Sequence, residues 1–275
     1  MTAERPMIFD FRAAQTSRRR AQRIGGDRFL DQTALDGLCD RLAAVTRRFD
    51  HGLWIGETLP PAIQAFAREW SVRDFDQHEV LNSDGGPFDL AVSLYSLQTI
   101  NDLPGALIQL RRALKPDGLF LAALFGGETL RELRESFGVA ETEISGGISP
   151  RVSPFADVRD VGALLQRAGF ALPVADVERL QVRYRDFGSL VRDLRAHGHS
   201  NVLAARQRHF LDRRVLSALI AHYAAQHTRD GKLNATFETI YLTGWAPHQS
   251  QQQPLKPGSA KSRLSDALGT VERKL

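Results

Sequence analysis

The run from Phe88 to Gly127 constrains this chain most, because its forty residues read as strand, loop, capped helix, tight turn and strand. Phe88 to Ser93 is a short apolar run without alternation, the pattern of a strand covered on both faces. Asn101 and Asp102 then offer side-chain caps, and Pro104 suits a first helical turn, where an amide donor is not needed. Leu103, Leu107, Leu110 and Leu114 recur at helical spacing and give one apolar stripe. Lys115-Pro116-Asp117-Gly118 ends the helix and turns the chain, proline breaking the ladder and glycine tolerating positive φ. Leu119 to Phe125 is apolar throughout again. A strand, a crossover helix and a parallel strand form a right-handed unit, which predicts an α/β protein.

The rest of the chain continues this alternation. Residues 8–48 predict helix, with Phe29, Leu30, Ala34, Leu35, Leu38, Leu42 and Val45 as apolar positions. Phe49 to Gly56 reads as a first strand. Thr58 can cap a following helix that holds Pro60 and Pro61 in its first turn and buries Ile63, Phe66, Ala67 and Trp70. Ser71 to Asp76 reads as a short second strand ending in acid. Beyond Gly127, helix is expected from Glu128 to Phe137 and around Val158 to Leu165, the latter closed by Gly169. Strand is expected from Val174 to Tyr184, helix after Asp186 and over most of residues 201–227, and a last strand from Thr236 to Trp245. This divides the chain into a helical segment (1–48), a doubly wound, mostly parallel α/β domain (49–248) and a polar, disordered tail (249–275).

Charge and cysteine content narrow the function. The formal net charge is only +4, with arginine spread through most of the chain. The dense patches, Arg18-Arg19-Arg20 with Arg23 and the stretch from Arg179 to Arg214, lack the interleaved aromatics of a nucleic-acid stacking platform. They read as solvated helix faces or as a docking surface for an acidic protein, and no nucleic-acid partner is expected. A single cysteine, Cys39, excludes an internal disulfide and a multi-cysteine metal site. It reads as a small core residue or a reactive thiol, in a reducing cytoplasm. No apolar run reaches the ~18 residues of a membrane span, and the N-terminal residues lack the apolar core of a secretory signal. The histidines at 197, 199, 209, 222 and 227 lack the spacing of a metal site, so no metal is expected.

Several ordered motifs carry a resemblance. Asn101-Asp102-Leu103-Pro104, Leu114-Lys115-Pro116-Asp117-Gly118, Phe125 to Leu130, Gly147-Ile148-Ser149-Pro150 and Tyr241 to Trp245 look like a class I S-adenosylmethionine-dependent methyltransferase family. The match is narrower to bacterial relatives of a mitochondrial complex I assembly factor with a methyltransferase fold, and it extends to Gly258-Ser259-Ala260. Biotin-synthesis malonyl carrier-protein methyltransferases share fewer of the motifs. The resemblance implies a Rossmann-like, seven-stranded sheet with S-adenosylmethionine across the C-terminal edge of its first, second and fourth strands, at the switch point of an open α/β sheet. It implies cofactor contacts from Gly56, Asp74 or Asp76, Ser93, Leu94 and Gln98, while Tyr95, Asn101 and Asp102 would face substrate. On the residues alone, Asp74 and Asp76 read equally as exposed loop acids, and Tyr95 as a core ring.

The chain departs from the family where the cofactor would sit. Gly56 is the only glycine of the loop proper, Glu57 sets a carboxylate where the cofactor's own would approach, and Gln98-Thr99 replaces a usual His-Trp pair. Only ~30 residues separate Gly56 from Phe88, which shortens the fold around strands 2 and 3. Three functions follow from the resemblance: methyl transfer to a protein or small-molecule acceptor, hydroxylation of an arginine on a respiratory complex I subunit, or a scaffold in complex I assembly that has lost the cofactor.

Overall fold

In the computed structural model, which describes residues 7–252, the apolar runs lie at the centre of a single sheet. The strands are β1 (Phe49–Ile55), β2 (Ala67–Arg73), β3 (Phe88–Leu94), β4 (Leu114–Phe125), β5 (Ala171–Tyr184), β6 (Thr228–Arg229) and β7 (Lys232–Trp245). Their order is β2-β1-β3-β4-β7-β5, with β6 paired on β7 to make seven strands. β1 to β4 pair in parallel, and β7 runs antiparallel to both β4 and β5. All strands except β7 therefore point the same way.

Helices cover both faces because side chains alternate along each central strand. Leu53, Ile55, Phe120 and Ala122 point to one face, against α4 (Leu103–Ala113) and α6 (Val158–Arg167). Trp54, Val92, Leu121 and Ala123 point to the other, against α2 (Phe29–Ala43) and the single turn α3 (Pro61–Gln64). β5 and β7 are twice as long as β1, at 14 residues against 7. Their ends, around Tyr184, Leu233 and Phe237, pack against α5 (Arg131–Ser145), α7 (Phe187–Ala196) and α8 (Arg213–His227) in a separate apolar cluster. α1 (Phe11–Ile24) lies beside α7, with Ser17 Oγ donating to the Gly198 carbonyl at 2.8 Å.

The expected elements differ from the observed ones at five places. The N-terminal helical stretch is two helices, divided at Gly25 and Gly26, whose φ angles of +63° and +114° no helix holds. The helix expected beyond Thr58 starts after Pro60 with no side-chain cap, so Thr58 does not cap it, and it stops after one turn at Ala65. Ala67 to Trp70 belongs to β2 instead, pairing Ala67 with Phe49 and Trp70 with Gly52. The indole of Trp70 lies against Gly52 and leaves no room there for a side chain. The expected turn over Lys115 to Gly118 is instead an irregular start of β4, where Asp117, not Gly118, takes positive φ (+64°), held by the Arg47 guanidinium, which reaches its carboxylate at 2.7 Å. Helix in the 201–227 region is confined to α8, while residues 201–212 form an irregular loop. α5 starts at Arg131 and runs on to Ser145, beyond the expected Phe137.

The shortening around strands 2 and 3 is present. Between β2 and β3 the chain makes only one isolated bridge, Phe75 to Leu81, and β2 remains an edge strand. The last residues of the tail, and with them Gly258-Ser259-Ala260, lie outside the described residues.

Candidate functional site

A cleft of about 1290 Å³ opens where β1, β3 and β4 end. It exceeds the roughly 300–1,000 Å³ of an ordinary small-molecule site, so one ligand leaves room for a second. Its floor is Gly56, the Leu94 to Gln98 turn and Phe125, and its walls come from α1, α7 and the 197–202 segment.

The turn after β1 is built around Gly56. Its φ is +149°, and a Cβ placed there would meet Trp54 Nε1 at 3.0 Å and Ser96 Oγ at 3.2 Å. Glycine is therefore required, and it lets the backbone form the wall of the cleft. The Gly56 amide donates to the Arg73 carbonyl at 2.8 Å, tying the ends of β1 and β2 together. Ser96 Oγ donates to the Ile55 carbonyl at 3.0 Å and ties in β3. Trp54 Nε1 is buried beside Gly56 without a hydrogen-bond partner, a donor left over at the cleft edge.

Glu57 does not stand as an uncompensated charge. Gln22 Nε2 donates to its Oε2 at 2.7 Å, and Arg18 Nε lies 3.5 Å from its Oε1. Arg18 Nη1 is also 3.6 Å from Asp74 Oδ2. Asp74 is the first residue past β2, which is where a ribose-binding acid belongs in such a sheet. Burial, with a smaller contribution from Glu57, pushes its pKa up, against the opposing pull of Arg18 and the Phe75 amide. α1 thus lays one guanidinium across two acids at the cleft edge.

The floor on the β4 side is aromatic. Tyr95 holds positive φ (+52°), its amide donates to the Ala123 carbonyl at 2.9 Å, and its hydroxyl pairs with Thr239 Oγ1 at 2.7 Å. Its ring stacks on Phe125 at 4.2 Å between centroids, and burial raises its pKa. His199 meets the Phe125 ring edge-on at 4.7 Å. Its Nε2 is shut from solvent with no partner, and burial, aided by His197 and Arg28, holds its pKa down at about 3. The imidazole is neutral at physiological pH. Gln98 Oε1 accepts from the Phe125 amide at 3.3 Å and fixes the end of β4.

Of the residues singled out in the sequence, Gly56, Leu94, Tyr95 and Gln98 line the cleft. Asp74 sits behind Arg18. Ser93 lies wholly inside the sheet. Asp76 is exposed, and its carboxylate accepts from the His78 and Val80 amides at 2.8 and 2.9 Å in a local turn. Asn101 faces the N-terminal segment, where its Oδ1 accepts from the Ile8 and Phe9 amides at 2.7 and 2.8 Å. Asp102 caps α4 through the Gly105 amide at 3.0 Å. Arg18, Gln22 and His199 were not anticipated at the cleft. Arg18 belongs to a run that reads as a solvated face, and nothing in the local pattern says which element covers it. The lone Cys39 is half-buried, and burial together with Asp36 and Asp40 raises its pKa, which favours the packing role over a reactive thiolate.

Residues 10–173 match a family model described as a methyltransferase domain. The chain is 43% identical over 183 residues to the mitochondrial arginine-hydroxylase NDUFAF5 of Dictyostelium discoideum, covering 66% of this chain and 42% of that protein. It is 37% identical over 267 residues to the Homo sapiens protein of the same name, covering 88% of this chain and 77% of that one. It is also 36% identical over 170 residues to a malonyl-acyl-carrier-protein O-methyltransferase of Gallionella capsiferriformans, covering 62% of this chain and 56% of that protein. The chain thus spans less than half of the Dictyostelium relative and about three quarters of the human one.

Proposed function

The chain belongs to the methyltransferase-domain family, and we propose that it binds S-adenosylmethionine at the ends of β1, β2 and β3 and transfers its methyl group to a protein acceptor. The observation that carries this reading is the side-chain-free wall at Gly56, set between the buried Trp54 and the first residue past β2, Asp74. When bound, the cofactor supplies an activated methyl group for direct displacement, a reaction that positioning and water exclusion can accelerate. The Gly56 turn would hold its amino-acid end, with Arg18 and Gln22 offsetting Glu57. Asp74 would take the ribose hydroxyls once Arg18, which stands between it and the cleft, swings aside, and Leu94 to Gln98 would close over the rest. Tyr95 and Phe125 give the acceptor a dry aromatic floor.

Two other readings address the same cleft. The identity to proteins named arginine hydroxylases, over 88% of this chain in the human case, favours hydroxylation of an arginine, which would need an external oxidant such as dioxygen together with a reductant. The motif resemblance would place that arginine on a respiratory complex I subunit. A scaffold in complex I assembly is the reading that needs no cofactor. For compartment we propose the cytoplasm, supported by a lone, half-buried cysteine that calls for no oxidising environment. The two arginine-hydroxylase relatives carry a mitochondrial designation in their names.

A melting titration with S-adenosylmethionine tests the main reading. Cofactor at ~100 times its dissociation constant adds about 2.7 kcal/mol of stability, a shift that Gly56→Leu removes. No shift at millimolar cofactor overturns the main reading and leaves the scaffold. Where the cofactor binds, mass spectrometry of a modified acceptor separates an added methyl group from an added oxygen.

A further inference from the structure

Six arginines line the cleft, Arg18, Arg20, Arg28, Arg151, Arg192 and Arg195, against two carboxylates, Asp31 and Glu57. That excess of positive charge is as large as the formal net charge of +4 carried by the entire chain. Three of the six are spent inside the protein: Arg18 on Glu57 and Asp74, Arg28 on Asp31, Arg151 on Glu141. Arg20, Arg192 and Arg195 form no ion pair among the described residues, and all three are exposed. Arg192 donates only to Ser189 Oγ, at 3.0 Å. Arg20 stands on α1 and the other two on α7, two helices that pack against each other, and all three line the cleft. Exposed apolar side chains line the same cleft, with Phe210 99% exposed and Ile220 39% exposed.

We propose that this part of the cleft lining docks an acidic segment of a protein acceptor, its carboxylates on Arg20, Arg192 and Arg195 and an apolar side chain against Phe210. Unpaired arginines beside an enclosed cleft raise the local concentration of anionic partners and orient them at the mouth. A nucleic acid fits less well, because a single exposed phenylalanine is not a series of stacking rings. The inference deepens the proposed function by giving the acceptor a charge, and it rests on that reading for what happens once the segment has docked.

Fluorescence anisotropy with a short fluorescein-labelled peptide of Glu and Leu tests it on the full chain. The wild type binds and loses affinity as salt is raised. Arg192→Glu with Arg195→Glu weakens binding by about tenfold or more. The matched exposed pair Arg159→Glu with Arg167→Glu, on α6 away from the cleft, changes it by less than about twofold. Phe210→Ser weakens it without altering the salt dependence. Absence of wild-type binding, or equal losses in the two charge-reversed pairs, overturns the proposal. So does a uridine oligonucleotide that binds more tightly and is lost in the same α7 variant. S-adenosylmethionine titrated into the same proteins keeps the two readings apart. A melting shift without peptide binding sinks only the docking site, and peptide binding without a shift sinks only the cofactor reading.

Discussion

His199 is neutral in the folded chain, and that has a consequence for stability. Burial holds its pKa at about 3, whereas an unfolded histidine titrates near 6.5. Below pH 6.5 the unfolded chain takes up a proton that the folded chain refuses until about pH 3, so stability falls steadily as pH drops through that window. His199→Phe keeps a ring beside Phe125 and removes the titration. Its stability relative to wild type should therefore rise by about 2 kcal/mol between pH 7 and pH 5, read from urea melts at both values. A difference that stays flat would mean the imidazole protonates freely in the folded state. Nothing in the sequence marked His199 for this place. His199 reads only as one of several histidines without metal-site spacing, and the partners that bury the ring, Phe125 and Tyr95, lie far away in the chain. Gly56, Tyr95 and Gln98 were reached through the family resemblance; Gly56 and Tyr95 also directly follow strands whose apolar runs are plain in the sequence, whereas Gln98 lies four residues past β3.

Whole elements were legible where local pattern and tertiary pairing agree, as in β3, α4 and β4, and illegible where they compete. Ile63, Phe66, Ala67 and Trp70 have helical spacing, yet Ala67 and Trp70 pair in parallel with β1 and the helix ends. α1 is the more consequential case. Its sequence gives a strongly charged helix, but its position over the cleft depends on distant contacts. Asn101 accepts the Ile8 and Phe9 amides, Arg206 pairs with Asp10 at 3.0 Å, and Phe9 bridges Leu203. Asn101→Ala removes the acceptor of both amides; the exposed Ile8 amide can turn to water while the Phe9 amide is left beside a buried ring, and the change should cost about 1 kcal/mol. Its distinctive result is local: amide exchange across residues 8–24 accelerates, and trypsin cuts earlier at Arg18 to Arg20. Asp102→Ala frays α4 instead and leaves α1 alone. Unchanged exchange over residues 8–24 in Asn101→Ala would show that the other contacts suffice to hold α1.

The molecule as a whole divides at the cleft. On one side is the parallel sheet with Gly56, Asp74 and the ends of β1 to β3, which resembles a cofactor platform. On the other, the extensions of β5 and β7 carry α5, α7 and α8 in their own apolar cluster. Among the described residues only α1 and α7 border the cleft with arginines that form no ion pair, so cofactor and acceptor should leave different footprints. Hydrogen exchange with S-adenosylmethionine should slow at residues 52–58 and 94–99 and around Arg18 on α1, because binding stabilises the segments it touches against local opening. The hairpin of β6 and β7 and the C-terminal half of α8 should be unaffected, since Thr228, Arg229 and Lys232 lie outside the cleft lining. The acidic peptide should reverse the emphasis, slowing α7 from Phe187 to Ala196 and the loop around Phe210 while leaving residues 52–58 unchanged. Protection by the cofactor centred on α7 or α8 would place its site in the second half of the molecule, and the assignment of Gly56 and Asp74 would fall with it.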